Sequence, residues 1–127
     1  MSVWRRKAIE CLPEQRVFFE QPDTTINQVF FEFLPATLEA HKQNITEQLE
    51  KCYEVAEWCF RQKQRDFWNA AGVAFYEHFA NYDITLQAVP YWIAPDIYQE
   101  IRGLLELQLD DKKIEFLDKN YQYRKHP

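Results

Sequence analysis

Glycine is almost missing from this chain, with two in 127 residues, and serine is rarer still, with Ser2 alone. Two isolated glycines cannot build a glycine-rich phosphate loop. They also supply too little turn chemistry for a succession of hairpins, which favours a mainly helical fold. A single serine at position 2 leaves no G-x-S-x-G and argues against serine-nucleophile catalysis. Three cysteines, Cys11, Cys52 and Cys59, make no disulfide framework. Cys52 and Cys59 would stand about two helical turns apart, roughly 10 Å along an axis, too far to bridge. No C-x-x-C, H-x-x-x-H or H-E-x-x-H occurs, and no acid stands three positions before His41, His78 or His126. Neither a zinc site nor a di-iron site is therefore expected, and no cofactor.

Basic charge is also short. Fifteen Lys and Arg against twenty Asp and Glu leave a net charge of −5, which repels phosphate backbones, so nucleic acid is not an expected partner. The clusters Arg5-Arg6-Lys7, Arg61 to Arg65 and Arg124-Lys125 read as solvated charge at helix ends. No apolar run approaches the roughly 20 residues of a membrane span. The start MSVWRRKAIECLPEQ has a basic end without an apolar stretch behind it, unlike a signal peptide. The expectation is a cytoplasmic protein that does not engage membranes.

What the chain has is apolar mass. Hydrophobic residues make up 46% and aromatics 17%, counting 10 Phe, 7 Tyr and 4 Trp. That is enough for a core in one domain, residues 1–127, without metal or disulfide staples. Ser2 is placed to cap a first helix with Trp4, Ala8, Cys11 and Leu12 on one face, and Pro13 stops it or opens the next turn. From Thr25, Ile26, Val29, Phe30, Phe33, Leu34, Thr37, Leu38 and His41 share one arc at helical spacing, and Pro35 is expected to bend or split that helix near Leu34. Asn44-x-x-Glu47 reads as a capping box before a helix burying Leu49, Cys52, Tyr53, Ala56, Cys59 and Phe60. Asp66 is expected to cap a further helix running through residue 81. Residues 82–94, YDITLQAVPYWIA, read as a loop with a short extended piece at Ile84 to Val89. Pro95 starts a helix burying Ile97, Tyr98, Ile101, Leu104, Leu105 and Leu109. A last helix begins at Asp110 or Asp111, and the tail frays from about residue 121. The expected fold is all-α, a single-domain bundle or short array of five to seven helices.

The run Tyr76-Glu77-His78 joins three proton-active side chains, yet adjacent helical residues point about 100° apart and cannot converge on one atom. Glu77 is expected to face outward, His78 to lie in the core, and Tyr76 to sit at its edge with the hydroxyl in water. No catalytic group emerges, and an enzyme is not expected. Surface remains. Glu47, Glu50, Glu54 and Glu57 follow i, i+3, i+7 and i+10, a carboxylate ridge beside Trp58 that Lys51 and Arg61 partly neutralise. Trp58 and Val55 lie away from the buried stripe and call for a second apolar contact, with another part of the chain or with a partner. Tyr91 and Trp92 are a second candidate recognition surface on the expected loop.

The segments VAEWCFRQ (55–62), NAAGVAFYEHF (69–79) and PYWIAPDIYQEIRGLLE (90–106) resemble a group of small helical bacterial proteins of unassigned function, which offers no catalytic motif to carry over. At the level of class, an acidic, helical chain without chemistry is similar to the immunity proteins of polymorphic-toxin and contact-dependent inhibition systems. That likeness implies a cognate toxin as partner, often a basic nuclease, met by Glu47, Glu50, Glu54, Glu57, Trp58, Tyr91 and Trp92. The alternative is a helical scaffold or adaptor that self-associates through Val55 and Trp58. Monomer and homodimer both stay open.

Overall fold

Thr25 opens the longest helix. Its hydroxyl accepts the Gln28 backbone N–H at 3.3 Å, and the Gln28 side chain accepts the Thr25 N–H at 2.8 Å, a complete capping box. The computed structural model describes residues 1–123. Among them the chain forms eight α-helices, two 3-10 segments and no strand, one helix more than the upper expectation. The chain forms two compact units, one from Met1 to Phe75 and one beginning at Tyr76.

The first unit contains α1 (Val3–Cys11), a 3-10 turn (Pro13–Gln15), α2 (Arg16–Glu20), α3 (Ile26–Gln43), α4 (Thr46–Phe60) and α5 (Arg65–Ala74). Helices α3, α4 and α5 pack on one another, and α1 packs on α4. Helix α3 buries Ile26, Val29, Phe30, Phe33 and Thr37 of the expected arc, with Ala40 beside them, while Leu34, Leu38 and His41 are half-buried. Pro35 does not split it. The ring is exposed, and so is Phe31, whose carbonyl would have received the missing N–H, so the proline falls on the solvent side of the helix, where losing that bond costs least. Asn44 ends α3 in the left-handed conformation, φ 56°, its N–H turned back to the Ala40 and His41 carbonyls. That use of Asn44 removes the capping box expected with Glu47: Ile45 is the N-cap of α4 and makes no side-chain cap.

The core of this unit is aromatic. Phe19 meets Phe33 at 6.0 Å between centroids, Phe33 meets Phe30 at 5.4 Å, and Phe75 contacts Phe30 at 5.7 Å and Tyr53 at 6.1 Å. All five rings are at most 1% exposed. Truncating one, as in Phe33→Ala, removes about 3–5 kcal/mol.

The basic start of the chain is structural. Arg5, expected as solvated charge, donates to the carbonyls of Phe19 (2.6 Å), Gln21 (2.7 Å), Pro22 (2.9 Å) and Thr24 (3.0 Å). One guanidinium thus satisfies the backbone between α2 and α3, and the Thr24 hydroxyl adds a bond to the Phe18 carbonyl at 2.6 Å. Ser2 stands at the N-cap of α1, but its side chain makes no cap bond.

Helix α5 starts after Gln64, not Asp66, and stops at Phe75 (φ −126°, ψ −76°), so the long helix expected through residue 81 is broken. Phe75 turns into the core of the first unit. Tyr76–Asn81 follow as a 3-10 segment. At three residues per turn, Tyr76 and Phe79 share a face, and both are buried with rings 6.0 Å apart. Tyr76 is therefore interior rather than at the core edge. Glu77 and His78 are both half-buried, so neither the outward glutamate nor the core histidine of the helical reading is found. The His78 Nδ1 lies 3.5 Å from the Asn81 side-chain nitrogen.

The second unit continues with α6 (Asp83–Trp92), α7 (Pro95–Glu106) and α8 (Asp111–Lys119). Helix α6 replaces the expected loop and extended piece. Asp83 lies in its first turn, the Thr85 hydroxyl bonds the Phe79 and Tyr82 carbonyls at 3.0 and 3.1 Å, and Leu86, Val89 and Pro90 are buried. Helix α7 buries Ile97, Tyr98, Ile101 and Leu105, while Leu104 and Leu109 are half-buried. Asp110 caps α8 by accepting the Lys113 N–H at 2.9 Å. Asp118 locks α8 to α7: it accepts the Tyr98 hydroxyl at 2.7 Å and both Arg102 Nε (3.0 Å) and Nη2 (2.7 Å). The Tyr121 ring rests 4.9 Å from Tyr98, and the Gln122 N–H reaches the Pro90 carbonyl at 2.9 Å, where fraying was expected. Arg124, Lys125 and His126 lie outside the described residues.

Candidate functional site on α4

Helix α4 is built to show one face. Leu49, Cys52, Tyr53, Val55, Ala56 and Cys59 are buried at helical spacing, which turns the carboxylates outward. Glu47, Glu50 and Glu54 are exposed, and Glu57 is half-buried. Their ionic partners differ. Arg61 holds Glu57 through Nη2 at 2.8 Å and Nε at 3.2 Å, and Lys51 Nζ lies 3.6 Å from Glu47. Glu50 and Glu54, an i, i+4 pair, form no ion pair among the described residues.

Trp58 finds its second apolar contact within the chain. Its ring meets Phe67 of α5 edge-on at 5.9 Å, and Lys7 Nζ of α1 lies 5.4 Å from its centroid. Val55 is 7% exposed. These partners come from α1 and α5, and spacing along α4 alone does not indicate them. Tyr91 and Trp92 occupy the last turn of α6 in the second unit, not a loop. Both are half-buried, with rings 5.4 Å apart at 78°. The first five candidate residues thus share one helix, while these two belong to the other unit.

Beside the ridge, Lys7, Glu10, Cys11, Lys51, Glu54 and Val55 line a groove of about 480 Å³ between α1 and α4. Cys11 at its floor leads to an arrangement absent from the sequence reading, which weighed only Cys52 with Cys59. The Cys11 S–H donates to the Cys52 sulfur at 3.5 Å. Gln48 Nε2 donates to the Cys11 carbonyl at 3.0 Å and approaches the Cys52 and Cys11 sulfurs at 3.4 and 3.7 Å. The Cys11 hydrogen bond holds the Cys52 thiol below its ordinary pKa, against burial and with help from Gln48 and Thr37. Donating that bond raises Cys11. Cys59, without such a donor, is pushed up by burial to about 12. Among the described residues, no group of three His, Cys, Asp or Glu side chains is placed to hold a metal ion, and no helix is long and apolar enough to cross a membrane.

An all-helical chain with an acidic helix face is a broad class, and its sequence narrows it. The chain belongs to the DUF7674 family, a domain of unknown function, which it matches over residues 6–108. The match takes in all three segments that resemble helical proteins of unassigned function. No curated protein matches the chain. No solved structure matches it.

Proposed function

We propose that this protein is a non-catalytic immunity protein, which neutralises a cognate toxin domain by covering a basic surface with the acidic face of α4. The observation that carries the reading is the pair Glu50 and Glu54, exposed on a helix fixed by its buried stripe and held in no ion pair among the described residues, with Lys7 and Lys51 near Glu54 only across the groove. Opposite charge at this face accelerates encounter with a basic domain, such as a nuclease, and selects against acidic partners. A rigid helix presents the carboxylates without a backbone ordering cost on binding. Tyr91 and Trp92 remain candidate aromatic contacts in the second unit.

The self-associating scaffold has less support. It needs Val55 and Trp58 as an open face, and Val55 is buried while Lys7 and Phe67 cover Trp58.

Co-expression tests the proposal. A growth-arresting basic domain encoded beside this chain is expressed with the wild-type protein, and with a variant carrying Glu50→Lys and Glu54→Lys. Growth restored by the wild type and not by the variant is the expected result. Equal rescue by both would remove the α4 face from the mechanism, and no rescue by either would remove toxin neutralisation.

A further inference from the structure

Sulfur joins α1 to α4. Cys11 is the last residue of α1 and Cys52 lies midway along α4, 41 residues apart in sequence, with both thiols free and buried. A cysteine that merely fills space needs no amide donor directed at it, yet Gln48 is placed against both sulfurs and the Cys11 carbonyl. We infer that Cys11 and Cys52 are a modification site, a thiol pair that closes reversibly to an intramolecular disulfide when a peroxide-class oxidant reaches the α1–α4 groove.

Distance favours closure. The sulfurs are 3.5 Å apart, and a disulfide needs about 2.05 Å, so about 1.5 Å of approach completes the bond. The groove reaches Cys11, which lines it with Lys7, Glu10, Lys51, Glu54 and Val55; Cys52 is fully buried directly behind, 3.5 Å away, so the oxidant reaches it past the Cys11 sulfur. Reactivity is divided between the two thiols. Gln48 Nε2 stands closer to the Cys52 sulfur, at 3.4 Å, than to the Cys11 sulfur, at 3.7 Å, which favours Cys52 as the attacking thiolate and leaves Cys11 to resolve. Cys59 is as buried as Cys52 but has no second sulfur at hydrogen-bond distance among the described residues, and burial raises its pKa, which makes it an internal control.

The chemistry balances with hydrogen peroxide as oxidant. The Cys52 thiolate attacks one peroxide oxygen, the O–O bond breaks and hydroxide leaves, giving Cys52 sulfenic acid. Hydroxide takes the Cys11 proton. The Cys11 thiolate then attacks the Cys52 sulfur, the S–S bond forms, and the S–O bond breaks to release a second hydroxide, which solvent protonates. Two thiols and one peroxide become one disulfide and two waters, with two electrons passing from sulfur to oxygen. A dithiol reductant reverses the bond by exchange. Closure ties the N-terminal helix to the helix that carries the acidic face.

The test is peptide mapping of the native wild-type chain after hydrogen peroxide treatment, with alkylation of the remaining thiols. The expected result is loss of two hydrogen atoms, one linked peptide pair joining Cys11 to Cys52, Cys59 still alkylated, and full reversal by dithiothreitol. In Cys11→Ser, which lacks the resolving thiol, dimedone is expected to label Cys52. Cys59→Ser is expected to keep the link. Three thiols still alkylated after treatment, a bridge involving Cys59, or disulfides only between chains would each overturn the inference.

Discussion

Lys51 Nζ lies 3.6 Å from Glu47 Oε1, one turn along α4. Both side chains are substantially exposed, so the pair adds little to stability. It does dilute the negative face next to Glu50 and Glu54. If α4 docks a basic partner, Lys51→Ala is expected to tighten binding by about two- to fivefold, the scale of one partly screened surface charge. The gain should appear in the association rate and shrink as salt is raised. Surface plasmon resonance at low and physiological salt, with the captured partner as analyte, measures this. Weaker binding by Lys51→Ala would place Lys51 itself in the contact.

Arg5 is expected to matter to stability far more than its neighbour Arg6, which is exposed. Arg5→Ala removes a donor from four carbonyls, of which Gln21 keeps the Thr24 N–H at 3.1 Å, and should cost about 2 kcal/mol, with Arg5→Lys recovering only part because an ammonium cannot span the same fork. Arg6→Ala should stay within about 0.5 kcal/mol of wild type. Urea denaturation midpoints at equal m-value give the comparison.

Gly103 and Gly72 are helical glycines with room for a methyl group. A Cβ at Gly103 meets no atom within 4 Å, and one at Gly72 lies 3.7 Å from Phe60 Cε1, an ordinary contact. Gly103→Ala is expected to stabilise α7 by about 0.5–1 kcal/mol, through helix propensity and a less flexible unfolded chain. Gly72→Ala should also be tolerated, so close helix approach does not require glycine at that position. Thermal melts of the two variants check both statements.

His41 makes the fold sensitive to acid. Its Nε2 lies 2.7 Å from the Tyr53 hydroxyl, and burial lowers its pKa below the ordinary value. The unfolded chain therefore binds the proton more readily than the folded one. This contribution to stability is complete above about pH 6.5, the ordinary histidine value, and is lost as pH falls below it toward the depressed folded value. Melting temperatures between about pH 7 and pH 5 should fall for the wild type and fall less for His41→Gln. An identical slope in both proteins would assign the acid sensitivity elsewhere.

Periodicity made much of this fold legible. The buried stripes of α3, α4 and α7 follow i, i+3, i+4 spacing, and Glu47 to Glu57 fall on one side of α4 for the same reason. Helix α6 was hidden by Pro90, which reads as a breaker but sits in the last helical turns. The break at Phe75 was hidden because Ala74, Phe75 and Phe79 prolong an apolar pattern that a 3-10 segment satisfies with a different period. Asn44 misled because asparagine both caps a following helix and ends a preceding one in the left-handed region. The Arg5 clamp, the cover over Trp58 and the Cys11–Cys52 contact join residues that only tertiary packing brings together, so no local pattern announces them.

The central claim is that the carboxylate face of α4 recognises a basic protein. Its most direct test is affinity capture from the source cells, comparing the wild type with a folded variant carrying Glu47→Lys, Glu50→Lys, Glu54→Lys and Glu57→Lys, with bound proteins quantified by mass spectrometry. The account predicts one basic partner in stoichiometric amount on the wild type and its loss from the variant. The same partner retained at equal level on both, or no partner on either, would contradict it.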